Sequence, residues 1–113
     1  GGMQKRAGLA RAIMLEPKII LFDEPTAGLD PVNTARLLDN IKKLKKKNIT
    51  GIFVTHDIPS ALAIADRIAI LQNGKIPVID TTENIQSSSS PLVGSFLSGK
   101  YLKEEEKISE QVE

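Results

Sequence analysis

The chain has 113 residues, 41% of them hydrophobic and 26% charged, with a net charge of +1 and no cysteine. That length and balance suit one ordinary globular domain at most, and give no reason to expect nucleic acid or an anionic membrane surface as a partner. The absent thiols exclude disulfides and thiolate metal sites, the single His56 argues against a His-rich one, and no apolar run approaches the ~20 residues of a membrane helix.

No basic segment followed by an apolar stretch marks a secretory signal. The first residue is Gly1 rather than methionine, which suggests a chain beginning inside a longer protein. Residues 3–15, "MQKRAGLARAIML", place Leu9, Ile13 and, a turn earlier, Arg6 or Met3 at helical spacing, among good helix formers and directly after a Gly-Gly pair. Glu16-Pro17 is expected to end this helix, because the residue before proline avoids the α region. Residues 18–22 read as a buried strand: short, continuous, rich in Ile and Leu, and bounded by turn residues.

Asp30-Pro31 has the form of a helix N-cap followed by proline at the first helical position. The helix is predicted to run to about Lys47 with Leu37, Leu38, Ile41 and Leu44 on its apolar face. "ITGIFVTH" (49–56) is a second short buried strand, and "PSALAIADR" (59–67) a short helix with Asp57 upstream as a cap. "IAIL" and "KIPVI" flank Asn73-Gly74, a strong hairpin signal, with Pro77 demoting the second strand to an edge. Ser87–Ser90 read as a polar linker. Ser90-Pro91 then opens a small helix carrying Leu92, Val93, Phe96 and Leu97, before a charged tail from Lys103.

Alternating strands and helices imply an α/β fold, a parallel sheet flanked by helices. In such sheets ligands lie beyond the carboxyl ends of the strands. Asp23 and Glu24 close one strand and His56 the next, so three polar groups are expected at one rim. Asp23 suits Mg²⁺, a hard ion held by one or two carboxylates plus phosphate oxygens. Glu24 is then placed to orient or deprotonate a water, and His56 to meet a terminal phosphate oxygen. By itself "DE" after a strand is as well explained by a solvated loop start, and a lone histidine before Asp by a cap.

The order "GGMQKR", "GLARAI", "IILFDEP", "AGLD", "VTHD" resembles ATP-binding cassette (ABC) ATPases over about residues 1–80. The resemblance implies the C-terminal half of a P-loop NTPase domain of the ABC type, with ATP and Mg²⁺ as cofactors. It makes Asp23 the magnesium carboxylate, Glu24 the catalytic base, His56 the switch histidine, and "AGLD", ending at Asp30, the D-loop. Gly1, Gly2, Met3 and Gln4 would belong to the signature that caps nucleotide on an opposing subunit in a head-to-tail dimer. Two glycines opening a helix agree with that, since the backbone can approach a phosphate and the helix N-terminus offers free N–H groups.

The usual Leu-Ser before the glycines is not in the chain, and Met3 stands where Gln is commoner. G-x-x-x-x-G-K-[ST] has one near match, "GSFLSGKY" (94–101), rejected because Tyr101 lacks the Mg²⁺-binding hydroxyl and a linker, not a strand, leads in. The phosphate loop is expected upstream, and the isolated chain is expected neither to bind ATP tightly nor to hydrolyse it. The lysines between Lys42 and Lys47 read as a solvated helix end, so no nucleic-acid partner is expected. The resemblance and the composition together imply a partial ATPase domain (1–86), a linker and short helix (87–102) and a charged tail (103–113).

The methionine-bearing signature and "PLVGSFLSG" are similar to cassettes of Mla/Mce-type phospholipid transporters. That resemblance implies a peripheral subunit on the cytoplasmic face of the inner membrane, docked on a transmembrane permease. An amino-acid importer, which shares much of "DEPTAGLDP", and a non-catalytic partner-binding module stay open as alternatives.

Overall fold

A computed structural model describes residues 1–99; the charged tail lies outside the described residues. The chain divides into two units, Gly1–Ile64 and one beginning at Ala65.

In the first unit α1 (Gly2–Met14) leads into β1 (Ile19–Asp23), α2 (Pro31–Lys42), a 3-10 segment (Lys43–Lys47), β2 (Thr50–Val54) and α3 (Ile58–Ile64). β1 and β2 pair in parallel from Ile19↔Thr50 to Asp23↔Val54, as the alternating pattern implied. Ile20 and Phe22 of β1 are buried with Leu9 of α1, Leu37, Leu38 and Ile41 of α2, Leu44 and Ile64. Phe22 also meets its register partner Phe53, ring centroids 6.2 Å apart.

β1 is not buried on both faces as its apolar run suggested. Ile19, Leu21, Ile52 and Val54 are 49% to 73% exposed. Alternation sends every second side chain to the face opposite the core cluster.

α1 ends at Met14 with only Leu9 buried; Met3 is 79% exposed. Glu16 does not take the extended conformation expected before Pro17 but sits at φ 51, where its N–H reaches the Ile13 carbonyl at 2.9 Å. Closing the helix end with a left-handed residue satisfies an orphan carbonyl, and that outweighs the preference imposed by proline. Asp30 caps α2 as expected, its Oδ1 accepting from Asn33 N at 2.8 Å with Pro31 in the first turn. The α-helix stops at Lys42 and tightens to 3-10, ending on left-handed Asn48. α3 ends at Ile64, earlier than expected, because the next strand starts at Arg67.

In the second unit β3 (Arg67–Gln72) and β4 (Lys75–Thr81) form the antiparallel hairpin. Asn73 at φ 51 and Gly74 at φ 72 give its two-residue turn the primed geometry. Of the linker Ser87–Ser90 only Ser87 is helical, as the last residue of α4 (Thr82–Ser87), whose N-terminus is capped by Thr81 Oγ1 accepting from Asn84 N; residues 88–90 are irregular. α5 (Pro91–Leu97) contains Gly94–Leu97, so the near phosphate-loop match is helical over those residues; Lys100 and Tyr101 lie outside the described residues.

Candidate functional site

The parallel register brings the loops after β1 and β2 together. Glu24 N donates to Val54 O at 2.8 Å, carrying the ladder one step past the strand. Glu24 itself sits at φ 46, a left-handed conformation uncommon for a residue with a Cβ and costing on the order of 1 kcal/mol or more. The turn re-aims its side chain across the strand ends. There Glu24 Oε1 accepts from His56 N at 3.0 Å and from His56 Nδ1 at 2.8 Å, and Oε2 accepts from Thr55 Oγ1 at 3.0 Å. A carboxylate only accepts, so the shared proton belongs to Nδ1 and Nε2 is left for another partner. Three donors occupy three of the carboxylate's roughly four acceptor positions, leaving one on Oε2.

A second carboxylate returns the contact. Asp57 Oδ2 accepts from Thr26 Oγ1 at 2.8 Å and from Ser60 Oγ at 2.5 Å, and Oδ1 accepts from Ser60 N at 3.2 Å at the start of α3. Asp57 N donates to Thr55 Oγ1 at 2.9 Å. One hydrogen-bonded chain therefore runs Glu24–Thr55–Asp57–Thr26. An open cleft of about 500 Å³ lies over it, lined by Glu24, Thr26, Gly28, His56 and Asp57 among others.

Asp23 does not line this cleft. It lies on the exposed face of β1 and borders a separate cavity of about 280 Å³ with Lys5, Leu9, Phe22 and Pro25. The pair that meets is Glu24 and His56. Asp30 has both carboxylate oxygens engaged by Asn33 in the first turn of α2. Gly1 caps α1 and Gly2, Met3 and Gln4 begin it, and none of the four lines the cleft over Glu24 and His56; a Cβ on Gly2 would meet the Asn33 side chain at 3.0 Å, so the two helix starts abut there. Lys5 was not singled out by its sequence context, yet its Nζ donates to Pro25 O at 2.9 Å and Ala27 O at 2.8 Å, tying α1 to the loop after β1.

Partial desolvation acts to raise the Glu24 carboxyl, but hydrogen bonds from His56 and Thr55 and the His56 charge together hold it below its ordinary value. Desolvation likewise opposes, and the Ser60 and Thr26 hydrogen bonds and His56 outweigh it, at Asp57, which is also lowered. Groups lowered on folding bind fewer protons in the folded chain. Their stabilisation is complete above the ordinary carboxylate range of about 4 and is lost as pH falls through the folded values. Urea midpoints measured from neutral pH downward are expected to drop below about pH 5, and to drop less steeply in Asp57→Asn; an unchanged acid slope in that variant would contradict the assignment.

Among the described residues no group of three or more His, Asp or Glu is arranged to hold a metal ion. A single exposed Asp23 still fits Mg²⁺ chemistry, in which waters and substrate phosphates supply the remaining oxygens. No described helix is long and apolar enough to cross a membrane.

The ABC transporter family profile matches residues 1–27. The chain is 38% identical over 98 residues to the arginine transport ATP-binding protein ArtP of Haemophilus influenzae, covering 87% of this chain and 40% of that protein. It is 43% identical over 100 residues to the intermembrane phospholipid transport system ATP-binding protein MlaF of Escherichia coli, covering 88% of this chain and 37% of MlaF. Its fold matches the ADP conformation of MJ1267, an ATP-binding cassette of an ABC transporter, with a TM-score of 0.73 and 30% identity over 88% of this chain and 40% of that one. The chain thus spans about two fifths of the relatives it matches, and the α/β fold expected from its motifs is that of part of an ABC cassette.

Proposed function

We propose that this chain, similar in sequence and fold to ABC transporter ATP-binding cassettes, is the C-terminal portion of one: the part of an ATP-hydrolysing subunit that carries the base and switch but no phosphate loop. The observation that carries the reading is the Glu24–His56 contact at the carboxyl ends of two parallel strands. Glu24 Oε2 keeps one acceptor position, suited to a water. His56 holds the carboxylate through Nδ1 and turns Nε2 outward, and its imidazolium form donates from Nε2 to a phosphate oxygen. Asp23 would hold Mg²⁺, which supplies charge neutralisation between phosphate oxygens when bound. Gly1–Gln4, at the start of α1, would face nucleotide on the opposing subunit of a head-to-tail dimer.

In this reading residues 1–86 belong to the ATPase domain, and the subunit sits peripherally on the cytoplasmic face of a membrane against a permease. Met3 in the signature and the "PLVGSFLSG" segment favour a phospholipid or other lipid as cargo, as does the likeness to MlaF. The likeness to ArtP keeps an amino-acid importer as the second reading.

Residues 1–113 contain no G-x-x-x-x-G-K-[ST], so hydrolysis needs the cradle from further polypeptide. Isothermal titration of the isolated chain with Mg-ATP is expected to give no micromolar binding, whereas the chain joined to a cassette's phosphate-loop half is expected to bind and turn over ATP. Micromolar affinity in the isolated chain, or no turnover in the joined protein, would overturn the reading.

A further inference from the structure

We propose that Thr26 and Asp57 are a positioning pair that sets the Glu24–His56 contact; this rests on the reading of those two residues as base and switch. The contact lacks the means to set itself. The His56 side chain is 70% exposed and that of Glu24 33%, and an exposed ion pair contributes too little to fix the geometry of two side chains. What lies beneath it is buried: Thr26 is 7% exposed and Ser60 4%, the two buried polar side chains among the described residues, and both donate to Asp57 Oδ2.

The connection between β2 and α3 is three residues long, Thr55-His56-Asp57. Both neighbours of His56 are held. Thr55 Oγ1 donates to Glu24 Oε2 and accepts from Asp57 N. Asp57 is clasped by Ser60 at the start of its own helix and by Thr26, 31 residues away in the loop that carries Glu24. Thr26 Oγ1–Asp57 therefore joins the two loops from below, as Glu24–His56 joins them from above. With the lower bond cut, Asp57 remains bound to α3, and the Glu24 loop is registered against it only through the bonds that Glu24 itself makes to Val54, Thr55 and His56. A misplacement of about 1 Å is enough to cost a reaction on the order of a hundredfold.

Thr26→Val fills the same volume without the hydroxyl, and Thr26→Ser keeps the hydroxyl with less volume. In the full-length protein, Thr26→Val is expected to lower kcat for ATP about tenfold with KM changed by less than about twofold, and Thr26→Ser to stay within about twofold of the parent. Nuclear Overhauser contacts between the His56 ring and the Glu24 side chain are expected in the parent and in Thr26→Ser, and weakened in Thr26→Val. The proposal is overturned if Thr26→Val keeps both kcat and those contacts, if the loss falls on KM alone, or if Thr26→Ser is as impaired as Thr26→Val. A parent protein without ATP turnover rejects the functional reading instead, and the Overhauser contacts then decide the positioning pair by themselves.

Discussion

Replacing Glu24 with Gln is expected to lower ATP turnover of the complete cassette by about a hundredfold or more, the range lost when a positioned general base is removed. Glutamine keeps the length and planarity of the side chain, and its carbonyl oxygen still accepts from His56 N and Nδ1, the two bonds now made by Oε1. It loses the ability to take a proton, and at the Oε2 position an amide N–H now donates to Thr55 Oγ1 where the carboxylate accepted from it. The effect should therefore fall on kcat, while nucleotide binding, measured by titration, changes by less than a few fold. The lowered carboxyl of Glu24 is ionised at neutral pH and competent to accept, which is the state a base needs. Phosphate release by Glu24→Gln at the parent's rate would remove Glu24 from the role of base, whatever happened to binding.

Leu37→Ala is expected to cost the chain about 2–5 kcal/mol, through lost transfer energy and a cavity that the neighbours fill only in part. Leu37 is 3% exposed and belongs to the cluster that joins α1 and α2 to the buried face of β1. Total stabilities of ordinary domains are about 5–15 kcal/mol, so one methyl-rich side chain here represents a large share. Val32, on the same helix but 62% exposed, supplies the comparison: Val32→Ala should stay within roughly 0.5 kcal/mol of the parent. Urea denaturation of the two variants gives the answer; equal midpoints would mean that this cluster is not the core. Because Phe22 of that cluster lies next to Asp23 and Glu24 in the chain, loosening it also loosens the strand end on which the candidate site is built.

Much of this was legible because it depends on near neighbours. The Asp30 cap needs only Asn33, three residues on, and Asn73-Gly74 needs only its own tolerance of positive φ. Leu37, Leu38, Ile41 and Leu44 announce their common face by spacing, and all four are buried. α4 was lost because the serines after it resemble a linker, although Thr81 and Asn84 carry the cap, with Glu83 in the first turn. A carboxylate in a first turn was the available signal.

The groups that shape the candidate site are of another kind. Lys5 reaches Pro25 and Ala27, and Thr26 reaches Asp57, across separations of 20 to 31 residues. No period or cap encodes such a partner; it exists only once β1 and β2 are in register. Strand alternation already sends Asp23 and Glu24 of "FDEP" to different sides, but the aim of Glu24 at His56 is a product of the folded backbone, which turns at that residue to φ 46.

The order of residues alone determined the strands, the capped helix, the hairpin and the likeness to ABC cassettes, because periodicity, turn chemistry and motif spacing act over a few positions. Only the tertiary structure decided that Glu24 rather than Asp23 meets His56, and that a buried threonine and a partly buried aspartate join the same two loops. Those facts follow from two strand ends being brought side by side, and hydrogen bonds between distant loops form only after that approach has been made.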